Sequence, residues 1–502
     1  MSSLDQERDG KQDTTARKEY ILIGIALLLP ILTYLLAGWL TLGERGTWII
    51  RTGSLFGSMI AMVVLISTFL EVDQEKTVFP EKAVWLLMGL GVLLRISYML
   101  YTPCNVRYHD LGELDINSYG HAAYILNIMQ EGKLPQTNMG QFYQQPLFYF
   151  LGSGISRIIN GILGTFDSYH LVDATKVISC MASCSSLLIA KAIFEACGLS
   201  GKGLYRALIL IAFLPAYFLT GGSVGTDALA GMLMLLALLY TIKWIKCKSW
   251  KNTVLLALIY GCGMMTKISC ATVAFVTAIV FFIHFLCAVK QHAWKPLLLK
   301  YVVFGCISFP LGLWYSIRNA VRFGQPLSYV LEISRENPIY KGDISIFRRI
   351  FVMKLSNLVE NPYADVWKDY NLPVYALKSS LFGEFQYGCW NGLPVLLLAL
   401  AFLMACFCVI AMVEGIRTRR KDRWFMLMLL SAVIFYGSIV VFYIKYPFGC
   451  SMDFRYMLFL PVPIVYIFGS CELFRRKKWE CFTDGCCLGF AVVSTILYLS
   501  FQ

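Results

Sequence analysis

The stretch Pro146–Gly164, PLFYFLGSGISRIINGILG, decides how the chain threads a membrane. It is apolar enough to suggest a crossing, yet it carries an arginine and several Gly and Ser residues. Counted as a span, it would place every basic loop that follows on the outer side, against the retention of Lys and Arg on the cytoplasmic side. Read as a helix lying at the outer interface, it leaves those loops inside, and this is the reading adopted.

The composition requires the membrane. Hydrophobic residues make up 58% of the 502 residues, charged residues 15%, and mean hydropathy is +0.63. Apolar windows near the roughly 20 residues of a span occur at 20–41, 48–70, 84–102, 171–194, 204–221, 225–245, 252–268, 269–288, 301–319, 391–415, 424–444, 455–472 and 481–501. The expected fold is thus an all-α polytopic membrane protein of about 13 transmembrane helices, with interfacial helices in the first large outer loop. The expected organisation is a cytoplasmic tail (1–19), two N-terminal membrane helices (20–83), a membrane core (84–320) with outer loop 103–170, a second outer loop (321–390) and C-terminal membrane helices (391–502).

With the N-terminus cytoplasmic, the inside loops include KWIKCKSWK (243–251), VKQHAWKPLLLK (289–300), GIRTRRKDRW (415–424) and LFRRKKWE (473–480), all basic. The outside turns GERGT (43–47) and GGSVGTD (221–227) hold one arginine between them. The exception is EVDQEKTVFPEK (71–82), expected inside but acidic on balance. The tail is too long and acidic for the n-region of a cleaved signal, so the first apolar run is expected to remain as a helix. The expected location is the plasma membrane.

The net charge of +13 follows this sidedness and is not gathered on a soluble face, so nucleic acid is not an expected partner. Most of the 17 cysteines lie in apolar runs without metal-ligand spacing and read as packing residues. Cys104, Cys389 and Cys450 fall in outer loops, where a Cys389–Cys450 bridge is conceivable.

Polar chemistry gathers in YHDLGELDINSYGHAAYILNIMQEGKLPQTNMGQFYQQPLFYF (108–150), which has two of the five histidines. His109-Asp110 follows a membrane helix. A short helix is expected next, capped by Asn117 or Ser118 and ended by Gly132 and Pro135. Its His121, Ile125 and Ile128 share one face, with the imidazole turned back toward Asp110. An acid at the outer mouth of a bundle can take a proton from a hydroxyl brought within about 2.6–3.2 Å, or it can be an ordinary solvated loop acid.

The order of an acid after a membrane helix, then GHAAYI, GKLP and FYQQPL, resembles multi-spanning glycosyltransferases of the GT-C class, in particular the bacterial protein mannosyltransferase and RgtA/B/C/D-like group. Here QQPL stands for HPPL or PPL, with Gln145 in place of the first proline. FLPAYFLTGGSVGTDALAGMLMLLALLY (213–240) is similar to the second outer turn of that group and matches its acid with Asp227. GCGMMTKIS (261–269) is similar to its glycine-rich hairpin, ending in Lys267, and CSMDFRYMLFLPVP (450–463) to its late Arg-Tyr segment, giving Arg455 and Tyr456. The resemblance covers roughly residues 84–320 and 450–463.

It implies inverting transfer of a sugar from a polyprenyl-phosphate donor to a hydroxyl of a glycan, lipid or protein acceptor outside the membrane. Asp110 is the expected base, with His109 and His121 shaping its hydrogen bonds, and Lys267 and Arg455 are expected to hold the donor phosphate. Asp227 would orient the acceptor, pair with Lys267 or bind a cation. Its alternative reading is a helix cap, and that of Lys267 and Arg455 is snorkelling to the interface. Tyr143 and neighbouring rings would line a polyprenyl groove or anchor at the interface. No dedicated metal site is evident from spacing, though Asp110, His109, His121 and Asp227 contain suitable ligands for a divalent cation.

Two other functions compete: a lipid-linked sugar flippase, which would carry charges deep within its helices, and a glycan polymerase or ligase. The topology is testable: Asn117→Cys is expected to react with an impermeant maleimide added outside intact cells. Reaction only from the cytoplasmic side, above the background of the native cysteines, would overturn it.

Overall fold

The structure, a computed structural model, describes residues 24–40, 44–71, 81–353, 356–388 and 392–500. Cys389, most of the 71–82 loop and the N-terminal tail therefore lie outside the described residues. Every long element is helical, as a chain without water to satisfy its backbone requires. In chain order the first helices are α1 (Gly24–Trp39), α2 (Glu44–Glu71), α3 (Glu81–Tyr101), α4 (His121–Leu126), α5 (Leu147–Leu163), α6 (Ser168–Asp173) and α7 (Lys176–Ala196). There follow α8 (Gly201–Phe213), α9 (Pro215–Gly221), α10 (Asp227–Lys246), α11 (Trp250–Thr266), α12 (Ala271–Lys290) and α13 (Trp294–Phe323). The rest are α14 (Ile346–Phe351), α15 (Ser356–Glu360), α16 (Leu372–Phe382), α17 (Gly392–Thr418), α18 (Arg423–Lys445), α19 (Pro461–Gly469) and α20 (Lys477–Ser500).

Each of the thirteen apolar windows holds helix among the described residues. Among the described residues nine helices are long and apolar enough to cross a membrane, or up to 11 if two bent pairs each count as one span. The chain is a multi-pass membrane protein; the count of thirteen is not reached by this measure. The described part of α1 is short, and α11 has 17 residues. Helix α5 also has 17 residues, about 25 Å at 1.5 Å per residue, against a hydrocarbon core of about 30 Å. Its Gly152, Ser153, Ser156 and Asn160 face the protein, while Phe150, Leu151, Ile158 and Ile162 are exposed. That reversed polarity suits a helix whose outer side meets lipid.

The core carries charges that the apolar windows conceal. Pro215 lacks an N–H, so the helix bends by 43° between α8 and α9 and carbonyls of the preceding turn lose their partners. Arg95, fully buried in α3, supplies them: its Nη2 donates to Ile211 O at 3.0 Å and its Nη1 to Ala212 O at 2.8 Å. Its Nη1 also reaches Gly91 O at 2.8 Å and its Nε donates to Ser183 Oγ at 3.0 Å. This deep charge mends a broken helix, and every contact it makes is internal.

A second clasp aims the long loop that follows α3. Lys176, also buried, donates to Met99 O at 3.1 Å and Thr102 O at 2.6 Å, carbonyls at the C-terminal end of α3. Its ammonium pairs with Asp173 Oδ1 at 2.7 Å. The same carboxylate accepts Cys104 N–H at 2.8 Å and Tyr34 O–H at 2.7 Å. The chain thus leaves the bundle from a fixed point six residues before Asp110.

Helix α4 begins differently from the expectation. Its N-cap is Gly120 and no side chain caps it. Instead the backbone carbonyls of Asp110 and Leu111 accept the N–H groups of His121 and Ala122, each at 3.0 Å. Gly120 is required there, because a Cβ would lie 2.0 Å from Leu111 O. The helix ends in a π-turn (Asn127–Glu131) stopped by left-handed Gly132, as the sequence suggests. The loop 321–390 docks through Lys341, whose N–H donates to Pro447 O at 2.6 Å and whose Nζ donates to Trp367 O at 2.5 Å.

Replacing Arg95 by Met orphans buried carbonyls at a cost of about 1–3 kcal/mol each. Arg95→Met is expected to lower the unfolding temperature of the detergent-solubilised protein, whereas Lys290→Met, at an exposed position, leaves it unchanged. Equal melting of both variants would contradict the role given to Arg95.

Candidate active site

Four segments far apart in sequence meet around Arg455. The residue sits in a 3-10 turn (Phe454–Met457) that precedes the 58° bend into α19, and Asp453 caps that turn by accepting Arg455 N–H at 3.1 Å. From there the guanidinium reaches three carboxylates. Its Nη1 lies 3.0 Å from Asp110 Oδ2 and 3.9 Å from Asp227 Oδ2, and its Nε lies 3.3 Å from Asp453 Oδ2. Its Nη2 donates to Tyr456 O–H at 2.9 Å.

Lys267 occupies the unwound residue between α11 and the turn before α12, with extended backbone (φ −157°, ψ 126°). Its ammonium donates to Asp227 Oδ1 and stands 4.4 Å from the Tyr456 ring centroid. Asp227 opens α10, where the positive end of the helix dipole also favours a carboxylate. The sequence-expected residues Asp110, Asp227, Lys267, Arg455 and Tyr456 thus converge, and the pairing of Asp227 with Lys267 is among the arrangements expected.

Asp110 is the exposed member, with its side chain 40% accessible, whereas Arg455 is 8% accessible. It adopts a left-handed backbone (φ 56°), as does Arg107 (φ 54°), so the loop is held off its relaxed geometry at the acid. Burial pushes the Asp110 carboxyl up, but the Arg455 guanidinium, then His121 and His109, outweigh it and bring it down to about 2. The acid is therefore ionised at neutral pH and tied to a cation.

His121 is placed otherwise than as a direct partner of that carboxylate. Its imidazole is buried, its Nδ1 lies 2.7 Å from Tyr149 O–H, and burial lowers its pKa to about 4, so the ring is neutral at pH 7. Tyr149 O–H lies 3.5 Å from Gln144 Oε1, which accepts Thr226 O–H at 3.2 Å. This relay ties the loop 103–170 to the residue before Asp227. Tyr143 is half-buried, with its ring centroid 5.3 Å from that of Tyr329. Burial, followed by the Asp110 charge, pushes its phenol up to about 12. Of the rings expected beside it, Phe142, Phe148 and Tyr149 are buried and Phe150 is exposed.

His109 meets two acids that sequence reasoning passed over. Its Nδ1 lies 3.4 Å from Glu384 Oε2 and its Nε2 lies 3.7 Å from Asp453 Oδ2. Glu384 follows α16 and its Oε1 accepts Tyr375 O–H; its own carboxyl is held below the usual range, where His109 and Arg455 overcome the upward push of burial. The four residues weighed as metal ligands do not form a joint ligand set; among the described residues the grouping that does is His109, Glu384 and Asp453. Cys104 and Cys450 are unbridged among the described residues.

No family model and no curated protein matches this chain. The chain is similar to solved structures at low identity. The apo oligosaccharyltransferase of Archaeoglobus fulgidus gives a TM-score of 0.47 at 14% identity, over 85% of this chain and 56% of that one. The chain therefore spans a little over half that protein's length. ArnT from Cupriavidus metallidurans gives 0.37 in the apo state, at 13% identity over 77% of this chain and 76% of that one. Bound to undecaprenyl phosphate, ArnT gives 0.37 at 11% identity, over 83% and 78%.

Arg455→Gln removes the strongest attraction on Asp110, so the Asp110 carboxyl is expected to titrate at higher pH than in the wild type. Infrared difference spectra of the carboxylate band across pH 2–6, with Asp110→Asn as reference, read the shift; an unmoved band would show that Arg455 does not set it.

Proposed function

We propose that this chain is a GT-C-type glycosyltransferase that moves a sugar from a polyprenyl-phosphate donor to an acceptor hydroxyl at the outer face of the membrane. One observation carries the reading: an exposed carboxylate, Asp110, is hydrogen-bonded at 3.0 Å to Arg455, which with Lys267 borders a cleft between α10 and the Arg455 turn. An accessible carboxylate thus stands beside two cations. The sequence resemblance of the first outer loop, Asp227, Lys267 and the Arg455-Tyr456 pair supports the same assignment.

Asp110 takes the proton of the acceptor hydroxyl as its oxygen attacks the anomeric carbon. The bond from that carbon to the phosphate oxygen breaks on the opposite face, its electron pair leaves with the polyprenyl phosphate, and configuration inverts. Lys267 and Arg455 offset the charge that develops on the leaving oxygen, Arg455 in forked geometry. Tyr456 holds the guanidinium, and the relay from His121 to Thr226 holds the loop against α10.

In the free chain both cations are engaged by acids, and a carboxyl titrating near 2 is a weak proton acceptor. A donor phosphate that draws Arg455 away removes the main attraction on Asp110 and adds a negative charge nearby. Both effects raise the basicity of the acid when the substrate is in place. The base is thereby strengthened by the donor it serves.

The test is sugar transfer from a panel of undecaprenyl-phosphate-linked sugars by membranes holding equal amounts of wild type or Asp110→Asn. The wild type is expected to consume one donor, and the variant to lose about 10²–10⁴ in rate. Equal consumption by both would remove Asp110 from the role of base, and no consumption across a broad panel would sink the transfer reading.

A further inference from the structure

The three residues that gather behind Asp110 come from three different parts of the chain. His109 ends the exit from α3, Glu384 follows α16, and Asp453 caps the turn before α19. One ligand atom from each lies within 4.8 Å of the other two. Tyr375 occupies Glu384 Oε1, which leaves Oε2 facing His109.

Asp453 supplies the second observation. The residue is 1% exposed, and its Oδ1 is used by the N–H of Arg455. Its Oδ2 is buried and accepts no hydrogen bond among the described residues. That atom points at His109 Nε2 and at Arg455 Nε, 3.3 Å away, which makes no hydrogen bond either. A buried carboxylate oxygen that takes no proton donor is costly unless a charge satisfies it, and one guanidinium already serves three acids here.

The balance of charge points the same way. Asp110, Asp227, Glu384 and Asp453 are four carboxylates in one connected cluster, and its permanent cations are Lys267 and Arg455. Arg107 borders the same cleft as His109, Asp453 and Arg455, with its guanidinium over Tyr387, 4.8 Å from the ring centroid. With Arg107 counted, four carboxylates face three permanent cations, an excess of one negative charge.

We propose that His109, Glu384 and Asp453 form a binding site for one divalent first-row transition-metal ion. One imidazole nitrogen and two carboxylate oxygens form a mixed donor set that suits ions such as Mn²⁺ and Zn²⁺ better than the all-oxygen cages of Ca²⁺. Ligand bonds of about 2.0–2.2 Å require the three atoms to draw slightly together around the ion. The ion neutralises Asp453 and Glu384 and so loosens the hold of Asp453 on Arg455. This last consequence, a freer Arg455 for an incoming phosphate, rests on the transfer reading; the site itself rests on its ligand atoms.

The experiment uses the full chain in detergent, stripped with EDTA and titrated with MnCl₂ while electron paramagnetic resonance follows free Mn²⁺. One ion per chain is expected, with Zn²⁺ displacing it. Glu384→Gln and Asp453→Asn are each expected to weaken binding by at least about tenfold, while Asp110→Asn, outside the three ligands, retains it. Spin-echo modulation of the wild-type complex is expected to show one directly bound imidazole nitrogen, absent in His109→Gln. Lack of saturable binding, or bound Mn²⁺ without nitrogen coupling, overturns the proposal without recourse to any variant. Binding is read with neither donor nor acceptor present, so its failure and a failure of sugar transfer are separate results.

Discussion

The structure around the site depends on one guanidinium in a low-dielectric wall. Arg455 is nearly buried, and a buried cation persists only where opposite charge meets it. It meets Asp110 from the loop after α3, Asp227 from the start of α10 and Asp453 from its own turn. Each partner lies on a different segment, so satisfying this one charge fixes the relative positions of three pieces of chain. Lys267 extends the knot to a fourth through Asp227. These elements cannot separate without leaving charges unpaired, which makes the site rigid and electrostatically primed.

The same rule shapes the scaffold that holds the knot. Arg95 repairs the carbonyls broken by Pro215, and Lys176 with Asp173 closes the end of α3. Buried Arg206, paired with Asp484 and donating to Phe474 O at 3.0 Å, does likewise between α8 and the C-terminal helices. In each case a cation in the bundle serves backbone carbonyls that have no helical partner. This is how the chain affords irregular backbone within a membrane bundle, and irregular backbone is what brings the ends of α9 and α19 and the long loops to one place.

Much of this was legible in the sequence because charges at the ends of apolar windows are few. Asp110, Asp227, Lys267 and Arg455 each stand at such an end, and alternation of basic loops put all four on one face. Asp453 lies two residues before Arg455, yet a short-range acid reads as an ordinary turn cap, which it also is. Glu384 stands just past α16, where no period places it; its signal is an acid directly after Gly383, whose φ of 61° ends that helix. Arg95 was visible as a charge inside an apolar window, but the partner that explains it, the Pro215 break, is 120 residues away. The cap of α4 escaped because backbone carbonyls, rather than Asn117 or Ser118, perform it.

The arrangement also explains why an acid so exposed should sit at so strained a backbone. Asp110 directs its carbonyl to His121 N–H and its carboxylate to Arg455. Its left-handed φ lets one residue tie α4 on one side and the cation knot on the other. His109, one residue earlier, faces Glu384 and Asp453, so neighbouring side chains address opposite flanks of the same guanidinium. A change in charge on either flank must be felt by the other through Arg455. An anion entering between Lys267 and Arg455 would compete with both acids at once. The free chain is thus a competition among carboxylates for too few cations, and its chemistry lies in which of them gives way.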